Sequence, residues 1–168
     1  MSEDTAGPDI DSRAADLLPI LAGRGWRIAT AESLTGGLLA SAIVSVPGAS
    51  AVMYGGVVAY ATEVKHTVLG VEQSLLAREG AVHPDVALQM ARGVRVALGP
   101  AQRPVEVGVA TTGVAGPDPQ DGAPVGRVYV AVVTPQQERV VRLDLDGDRA
   151  GIRCGAVEAA LELVRISL

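Results

Sequence analysis

Apolar and polar positions alternate along the chain with two different periods, and these periods divide it into helices and strands. Apolar residues recur every three or four positions over residues 11–21, which predicts a first helix that ends at one of the glycines that follow. Residues 26–31 form a short, almost continuous apolar run, which predicts the first strand. A helical period returns over residues 35–46 and stops at Pro47-Gly48.

The rest of the chain continues the same mixture of helices and strands. The predicted elements are a strand or the approach to one over residues 51–60, a short helix over 72–79, a helix over 83–98, a strand over 105–111, a pair of strands over 126–134 and 138–145, and a last helix that ends near residue 166. The strand over 105–111 is almost wholly apolar, as in a strand covered by helices on both faces. The order of elements therefore predicts an α/β domain.

Length and composition favour one domain with an aliphatic core. The 168 residues suffice for a single domain, and two domains are not expected. The chain is 48% apolar yet contains no Phe, so its core must be built from Val, Ala, Leu and Ile. Residues 1–10 are polar and turn-forming and are expected to be a flexible N-terminus, which leaves residues 11–168 as the domain.

Charge and cysteine content narrow the function classes. The formal net charge is −5 and the arginines are scattered, so no basic stripe predicts direct binding to nucleic acid. Cys154 is the only cysteine, which excludes an internal disulfide, and the acidic first residues do not resemble a signal or transit peptide. No apolar run approaches the roughly 18 residues of a membrane-spanning helix. We expect a cytoplasmic protein without membrane contact.

The first candidate for chemistry is the turn after the first strand. Ser33 and Thr35 are followed by Gly36 and Gly37 just before a helix, whose first N–H groups have no partners within the helix. Such a helix start suits an anion or a developing oxyanion. Serine and threonine at this position are usually helix caps, so the turn alone leaves two roles open for Ser33, a cap or a nucleophile.

Lys65 is the second candidate because it is the only lysine in a chain with thirteen arginines. Arginine can replace most surface lysines, but not one that has to lose its proton, because a guanidinium stays charged. A serine with a lysine as general base is a known nucleophile and base pair, provided that the site lowers the lysine pKa. Tyr60 lies nearby in sequence and is a candidate to hold or relay a proton. The alternative is that Tyr60 ends a strand with its hydroxyl in water and has no part in the chemistry.

These candidates share one position relative to the predicted sheet. Ser33, Lys65 and a second hydroxyl-glycine turn, Thr112-Gly113, all lie just after predicted strands or within a connection. In open α/β sheets that edge is where ligands bind.

The sequence contains no pattern for a metal or a cofactor. His66, His83 and Cys154 lack metal-ligand spacing, and His83 before Pro84 is typical of a helix start. Neither a phosphate-binding glycine loop nor a dinucleotide fingerprint is present. The clustered aspartates lie in turn-like segments, where they usually serve as solvated turn and cap residues. No metal and no cofactor are expected.

Several ordered motifs give the chain a family resemblance. They are Thr30-Ala31-Glu32-Ser33-x-Thr35-Gly36-Gly37, Pro47-Gly48-x-Ser50, Gly56-Val57-Val58-Ala59-Tyr60-x-x-Glu63-x-Lys65, Gly80-Ala81-Val82, Thr112-Gly113-Val114-Ala115-Gly116-Pro117, Pro124-Val125-Gly126 and Gly147-Asp148-Arg149. The chain resembles the CinA C-terminal domain family in unbroken order over roughly residues 13–164. Because so many motifs occur in the same order, together they are specific for this family.

The resemblance implies a three-layer α/β/α domain with a mixed central sheet of about five strands. It implies an amidohydrolase that converts nicotinamide mononucleotide to nicotinate mononucleotide and ammonia. In that reaction Ser33 is the nucleophile, Lys65 and Tyr60 lie beside it, and Thr112 lines the site. The expected partner is a small nucleotide substrate, and the resemblance favours a homo-oligomer, a dimer or larger.

Six further residues are assigned to substrate binding: Thr35, Gly36, Gly37, Ser50, Gly113 and Arg149. The N–H groups of Thr35-Gly36-Gly37 receive either the oxyanion of the amide or the phosphate of the nucleotide, and the sequence leaves that choice open. Arg149 at the start of the last helix, or the Thr112-Gly113 turn, is the expected source of phosphate donors.

Some positions depart from the family pattern, and a second function class stays open. Leu34 stands where cysteine is frequent and Thr62 where asparagine is frequent, while residues 118–123 form a variant loop. The alternative function is a non-catalytic nucleotide-binding or adaptor protein in DNA uptake or the response to DNA damage. Ammonia release from nicotinamide mononucleotide distinguishes the two classes.

Overall fold

Five strands form one mixed sheet in the computed structural model, which describes residues 8–168. The strands are β1 (Ile28–Glu32), β2 (Met53–Val58), β3 (Val107–Gly113), β4 (Arg127–Val133) and β5 (Glu138–Asp144). The helices are α1 (Pro8–Arg24), α2 (Leu38–Val44), α3 (Thr62–Thr67), α4 (Gln73–Glu79), α5 (Pro84–Leu98) and α6 (Arg149–Ser167), with a short 3-10 turn at Ala49–Ala51.

The strand order is β2-β1-β3-β4-β5. β1 runs parallel to both of its neighbours, β2 and β3, whereas β4 and β5 are antiparallel additions. Glu32 at the end of β1 pairs with Thr111 of β3 and with Val58 of β2, so three strands finish at one edge of the sheet. This confirms the predicted single α/β domain with a mixed five-stranded sheet.

Helices cover both faces of the sheet, as the apolar strands require. Side chains of α1, α2 and α6 form one aliphatic core with alternate residues of the strands, and α4 and α5 form a second core on the opposite face. The absence of Phe suits the close approach of these layers: a Cβ on Gly108 of β3 would lie 2.1 Å from the backbone oxygen of Ala91 in α5. Small residues thus set the helix-to-sheet distance.

The first helix begins earlier than the sequence predicts. α1 starts at Pro8, and Ile10 is 1% exposed within the first core, so the predicted flexible N-terminus is wrong for residues 8–10. The amphipathic pattern of α1 therefore extends one turn towards the N-terminus. The rest of that predicted segment, residues 1–7, lies outside the described residues.

Two local elements also differ from the sequence prediction. α2 begins at Leu38 rather than Thr35, because Gly36 and Gly37 have φ values of 60° and 98°, outside the helical region. Lys65 lies in a short helix, α3, that the apolar pattern does not predict. Within the described part of the chain, no helix has the length and apolarity to cross a membrane.

Candidate active site

Ser33 lies where β1 ends, at the carboxyl edge of the three parallel strands. Its N–H donates to the carbonyl oxygen of Thr111, 3.0 Å away, so the serine continues the pairing of β1 with β3 by one residue. Its carbonyl oxygen accepts the N–H of Gly36 at 3.1 Å, which closes a tight turn. The side chain is nearly buried and lines a small pocket.

Lys65 of α3 contacts the side chain of Ser33. Its Nζ lies 3.0 Å from Ser33 Oγ and 2.7 Å from the carbonyl oxygen of Ala59, and the residue is only 1% exposed. Burial lowers the pKa of Lys65 from its ordinary 10.5 to about 8, although the negative charge of Asp121 acts in the opposite direction. At pH 7 about a tenth of this amine is then neutral, far more than for a lysine with an ordinary pKa. The structure brings the predicted nucleophile and base into hydrogen-bond contact.

The pocket beside this pair has a volume of about 120 Å³. The lining includes four sequence-predicted site residues beside Ser33: Tyr60, Thr112, Gly113 and Arg149. Tyr60 is 60% exposed and marks the mouth of the pocket. Arg149 holds this mouth, because it donates to Tyr60 Oη at 2.9 Å and to the carbonyl oxygen of Gly116 at 2.6 Å.

Thr112 lines the pocket, and its hydroxyl forms a hydrogen bond within the chain. Its Oγ1 donates to the carbonyl oxygen of Ala81 at 2.7 Å, and the side chain is buried. In this arrangement the hydroxyl hydrogen is directed to Ala81 and not into the pocket. Thr112 therefore positions the segment at Ala81, which also lines the pocket.

The glycine turn does not present its N–H groups to the pocket. Glu32, the last residue of β1, accepts the N–H groups of Gly37 and Leu39 at 3.0 Å and that of Ala40 at 2.8 Å. Gly36 N–H is taken by Ser33, as described above. Glu32 thus occupies the helix start as an internal anion. In this structure the N–H groups of Gly36 and Gly37 are bound within the chain, and their contact with a substrate stays a prediction.

Thr35 and Ser50 also lie away from the pocket. Thr35 is fully buried, and its Oγ1 shares a hydrogen bond of 2.8 Å with Thr111 Oγ1. Ser50 lies in the 3-10 turn before β2, in a separate groove with Pro47 and Gly48. Since the first residue of β2 pairs with the first residue of β1, Ser50 is at the sheet edge opposite to Ser33. Neither residue lines the pocket at Ser33, so their substrate-binding role stays a prediction.

The N–H of Leu34 is a donor that the sequence did not single out. Leu34 lines the pocket, and its N–H has no backbone acceptor within residues 8–168. The N–H of the residue after a nucleophile is a recurrent oxyanion donor, because it lies close to the attacked carbon. The position of Leu34 directly after Ser33 was the available signal.

The variant loop at residues 118–123 closes one side of the pocket. Asp118 and Gln120 line it, and Gln120 pairs with Ala123 in a tight two-residue turn. Asp121 Oδ2 accepts the N–H of Ala81 at 3.1 Å, which ties the loop to the segment that Thr112 holds. Asp121 has a positive φ of 50°, a conformation that aspartate tolerates better than most residues. The loop therefore contributes both shape and negative charge to the site.

The described residues contain no cluster of three His, Cys, Asp or Glu side chains that could hold a metal ion. His83 instead caps α5, where its Nδ1 accepts the N–H of Asp85 at 3.2 Å, as predicted for a helix start. A larger groove of about 510 Å³ runs beside Leu69 and Gly93 and carries no paired nucleophile and base. The smaller pocket at Ser33 is therefore the candidate active site.

The fold and the site define an α/β protein with a buried serine–lysine pair at the carboxyl edge of its parallel strands. The model of the CinA C-terminal domain matches residues 10–168, and the chain belongs to that family. The resemblance found in the motifs is thereby confirmed.

Relatives and solved structures agree with this assignment. A CinA-like protein from Frankia casuarinae is 49% identical over 155 residues, which is 92% of this chain and 35% of that protein. A putative competence-damage inducible protein from Caldanaerobacter subterraneus is 45% identical, over 89% of this chain and 35% of that protein. The chain spans about a third of the length of these curated relatives.

Among solved structures, the competence/damage inducible protein CihA from Agrobacterium tumefaciens is similar with a TM-score of 0.89 and 34% identity, over 99% of this chain and 98% of that one. A competence-damaged protein (CinA) superfamily protein from Escherichia coli has a TM-score of 0.89 and 31% identity, over 100% and 99% of the two chains. These solved chains correspond in extent to the present one.

Proposed function

We propose that the chain is an amidohydrolase that deamidates nicotinamide mononucleotide to nicotinate mononucleotide and ammonia. The observation that carries the proposal is the 3.0 Å contact between Lys65 Nζ and Ser33 Oγ in a pocket that lowers the lysine pKa to about 8. A general base works best when its pKa lies near the operating pH, and it must lie within hydrogen-bond reach of the proton it removes. Lys65 meets both conditions.

In the first half of the reaction, neutral Lys65 accepts the hydroxyl proton of Ser33 while Ser33 Oγ bonds to the carboxamide carbon. The contact with Ala59 supports this direction, because a lysine N–H donated to that carbonyl leaves the nitrogen lone pair free to face Ser33. The tetrahedral intermediate then collapses, the C–N bond breaks, and the lysine ammonium returns its proton to the leaving ammonia.

In the second half, a water molecule attacks the acyl-Ser33 ester. Lys65, neutral again, removes a proton from this water, and the ester C–O bond breaks to release the carboxylate and restore Ser33 Oγ–H. Ser33 and Lys65 are thus unchanged after one turnover. The net reaction consumes water and substrate and requires no oxidant, metal or second substrate.

The oxyanion donor in this proposal is the N–H of Leu34. It directly follows the nucleophile and has no backbone acceptor in the described part of the chain, whereas the N–H groups of Gly36 and Gly37 are already used. One such donor contributes about 2.7–4 kcal/mol to transition-state stabilisation in a well-studied serine hydrolase. Of the three N–H groups that the sequence offered, those of Gly36 and Gly37 are bound within the turn, which supports the neighbouring N–H of Leu34 as the donor.

The charges at the pocket mouth suit an anionic substrate. Neither Arg149 nor its neighbour one turn later, Arg153, has a carboxylate within ion-pair distance among the described residues. Arg149 is exposed, so its remaining N–H groups can reach a phosphate outside the narrow pocket. The carboxamide ring then enters the pocket past Tyr60.

The rival function is a non-catalytic nucleotide-binding or adaptor protein. Its support is the name of relatives such as the putative competence-damage inducible protein of Caldanaerobacter subterraneus. An adaptor needs no activated nucleophile. A buried lysine lowers the stability of the fold, and an adaptor would have no functional benefit in return. The Ser33–Lys65 contact therefore favours the enzyme.

One assay separates the two functions. Purified protein is incubated with nicotinamide mononucleotide in the presence of EDTA, and ammonia release is measured for the parent, Ser33→Ala, Lys65→Arg and Lys65→Met. The parent is expected to be active, and each variant is expected to lose at least about a thousandfold in kcat/KM. Arg165→Ala, on the exposed end of α6, is the control and should match the parent. Full activity in Ser33→Ala would overturn the mechanism, and an inactive parent would favour the adaptor.

A further inference from the structure

We propose that Arg153 is a positioning residue for the transition state, one that fixes the peptide groups after Ser33 so that the N–H of Leu34 faces the developing oxyanion. This inference rests on the proposed serine mechanism. The guanidinium comes from α6, a helix distant in sequence, and Arg153 is not among the residues that line the pocket.

Within residues 8–168, the guanidinium of Arg153 donates hydrogen bonds to two backbone oxygens. Nε donates to the carbonyl oxygen of Leu34 at 3.0 Å, and Nη2 donates to that of Thr35 at 2.8 Å. The side chain is partly buried and has no carboxylate within ion-pair distance among the described residues. A forked donor that spans two successive carbonyls holds both peptide planes, which a single ammonium cannot do.

The planarity of the peptide group links the contacts of Arg153 to the direction of the Leu34 N–H. In a trans peptide the C=O and the N–H point in opposite directions. The carbonyl of Thr35 faces Arg153, so the N–H of Gly36 points the other way, and it donates to the carbonyl of Ser33. With that carbonyl held, the N–H of Leu34 is directed away from the interior of the turn. Arg153 therefore determines the direction of Leu34 N–H through two successive hydrogen bonds.

Glu32 holds the same turn from its other end. Its carboxylate binds the N–H groups of Gly37, Leu39 and Ala40, whereas Arg153 binds the carbonyls of Leu34 and Thr35. The seven-residue segment after Ser33, residues 34–40, is thus fixed by an anion on its N–H groups and a cation on its C=O groups. A cation behind these carbonyls also polarises the peptide groups, which strengthens their N–H donors.

The anchoring of α6 does not require Arg153. The helix is capped by Asp148, whose Oδ1 accepts the N–H of Gly151 at 2.8 Å, and it buries Ile152, Ala156 and Val157 in the first core. Removal of the guanidinium should therefore leave the helix in place and free only the turn. The expected defect is a slower chemical step rather than an unfolded protein.

The test compares Arg153→Met and Arg153→Lys with Arg165→Met as the matched control. Arg165 lies on the same helix and pairs with Glu162 on an exposed surface. We measure kcat, KM and the pH midpoint with nicotinamide mononucleotide, the rate at which a fluorophosphonate modifies Ser33, and the thermal midpoint. The fluorophosphonate reports on the same nucleophile and oxyanion donor without requiring the proposed substrate.

For Arg153→Met we expect kcat and the Ser33 modification rate to fall about 10- to 100-fold, with KM changed less than about threefold and the pH midpoint unchanged. Arg153→Lys should recover part of the loss, because an ammonium can hold one carbonyl but not both. The control should match the parent in every measurement. Should the methionine variant not fold, the lysine variant and its modification rate decide the question.

Three outcomes would overturn the positioning role. They are an unchanged kcat and modification rate, a rise in KM alone, which would indicate a substrate contact, and a parent whose Ser33 is not modified at all. A parent that is modified at Ser33 but releases no ammonia from nicotinamide mononucleotide would refute the proposed substrate instead. In that case the modification rates still decide whether Arg153 acts on the turn.

Discussion

Lys65 Nζ lies 3.0 Å from Ser33 Oγ, although 32 positions of chain separate the two residues. The contact follows from the parallel pairing of β1 and β2. Ala59, just after β2, donates its N–H to the carbonyl of Glu32, and α3 then turns Lys65 back over the end of β1. Two residues that follow neighbouring parallel strands thus meet at the carboxyl edge of the sheet.

The first prediction concerns the pH dependence of activity. The base form of Lys65 is the neutral amine, and burial lowers its pKa to about 8. We therefore expect kcat/KM for ammonia release to rise about tenfold per pH unit below pH 8 and to level off above it. A rate profile from pH 6 to pH 10 measures this midpoint. A profile that is flat through pH 8 would exclude Lys65 as the base.

The second prediction concerns the stability cost of the same lysine. Because the folded-state pKa of Lys65 is below its ordinary value, the folded protein binds fewer protons than the unfolded chain between pH 8 and 10.5. The parent should therefore gain stability as the pH rises through this window, by at most about 3 kcal/mol. The cost of burying the charge is fully present below pH 8.

Lys65→Met removes this pH dependence and keeps an apolar chain of similar length. The variant should exceed the parent in free energy of unfolding by the largest amount at pH 7. This difference should become smaller towards pH 10. Urea denaturation of both proteins at the two pH values gives the comparison. A stability difference that stays constant with pH would contradict the depressed pKa.

The third prediction concerns Asp121, whose negative charge raises the pKa of Lys65 and partly opposes the effect of burial. Asp121→Asn keeps an acceptor for the N–H of Ala81 and tolerates the positive φ, but removes the charge. The midpoint of the activity profile should move to lower pH by less than about one unit. Asp146→Asn, an exposed aspartate before α6, is the control and should leave the midpoint in place. A shift to higher pH would be inconsistent with this charge effect.

The fourth prediction concerns the buried carboxylate of Glu32. Glu32→Gln replaces one of the two acceptor oxygens that bind three helix N–H groups, which should lower the free energy of unfolding by about 1–3 kcal/mol. Amide hydrogen exchange at Gly37 and Ala40 should also become faster. Glu63→Gln, on the exposed first turn of α3, should change neither quantity measurably. Unchanged exchange in the Glu32 variant would show that its carboxylate does not hold the helix start.

The fifth prediction concerns Arg149 and the phosphate of the substrate. Loss of one charge-assisted contact should lower kcat/KM of Arg149→Ala for nicotinamide mononucleotide about 10- to 100-fold, mainly through KM. The unphosphorylated nicotinamide riboside should lose much less, namely only what the lost contacts with Tyr60 and Gly116 contribute to the shape of the pocket mouth. Steady-state kinetics on the two substrates make the comparison. An equal loss for both substrates would assign Arg149 to the pocket architecture rather than to the phosphate.

The order of elements and the main candidates for chemistry could be predicted from the sequence. The apolar run of β1 followed by Ser33, and the retention of a single lysine at Lys65, are local signals that need no knowledge of distant contacts. The motifs added the family and the fold. The boundary of α2 was misplaced because a threonine before a helix is usually a cap, whereas Thr35 here bonds Thr111 in the neighbouring strand.

The use of each polar group could not be predicted in the same way. A helix start with two glycines looks open to a ligand in the sequence, yet Glu32 fills it and Arg153 reaches its carbonyls from α6. Ser50 belongs to an ordered motif but lies at the opposite edge of the sheet. Such assignments depend on which donors and acceptors meet in space.

By itself the sequence determined the strand that carries the serine, the identity of the only lysine, and an aliphatic α/β core. Periodicity and composition suffice for these three features, because they depend only on which side of each element faces water and on residues close in sequence. The tertiary structure decided that Lys65 is buried against Ser33, that the N–H of Gly37 binds Glu32, and that the N–H of Leu34 has no backbone acceptor within residues 8–168. Hydrogen-bond partners and desolvation arise only when distant segments pack together, and these contacts decide which groups are left for chemistry.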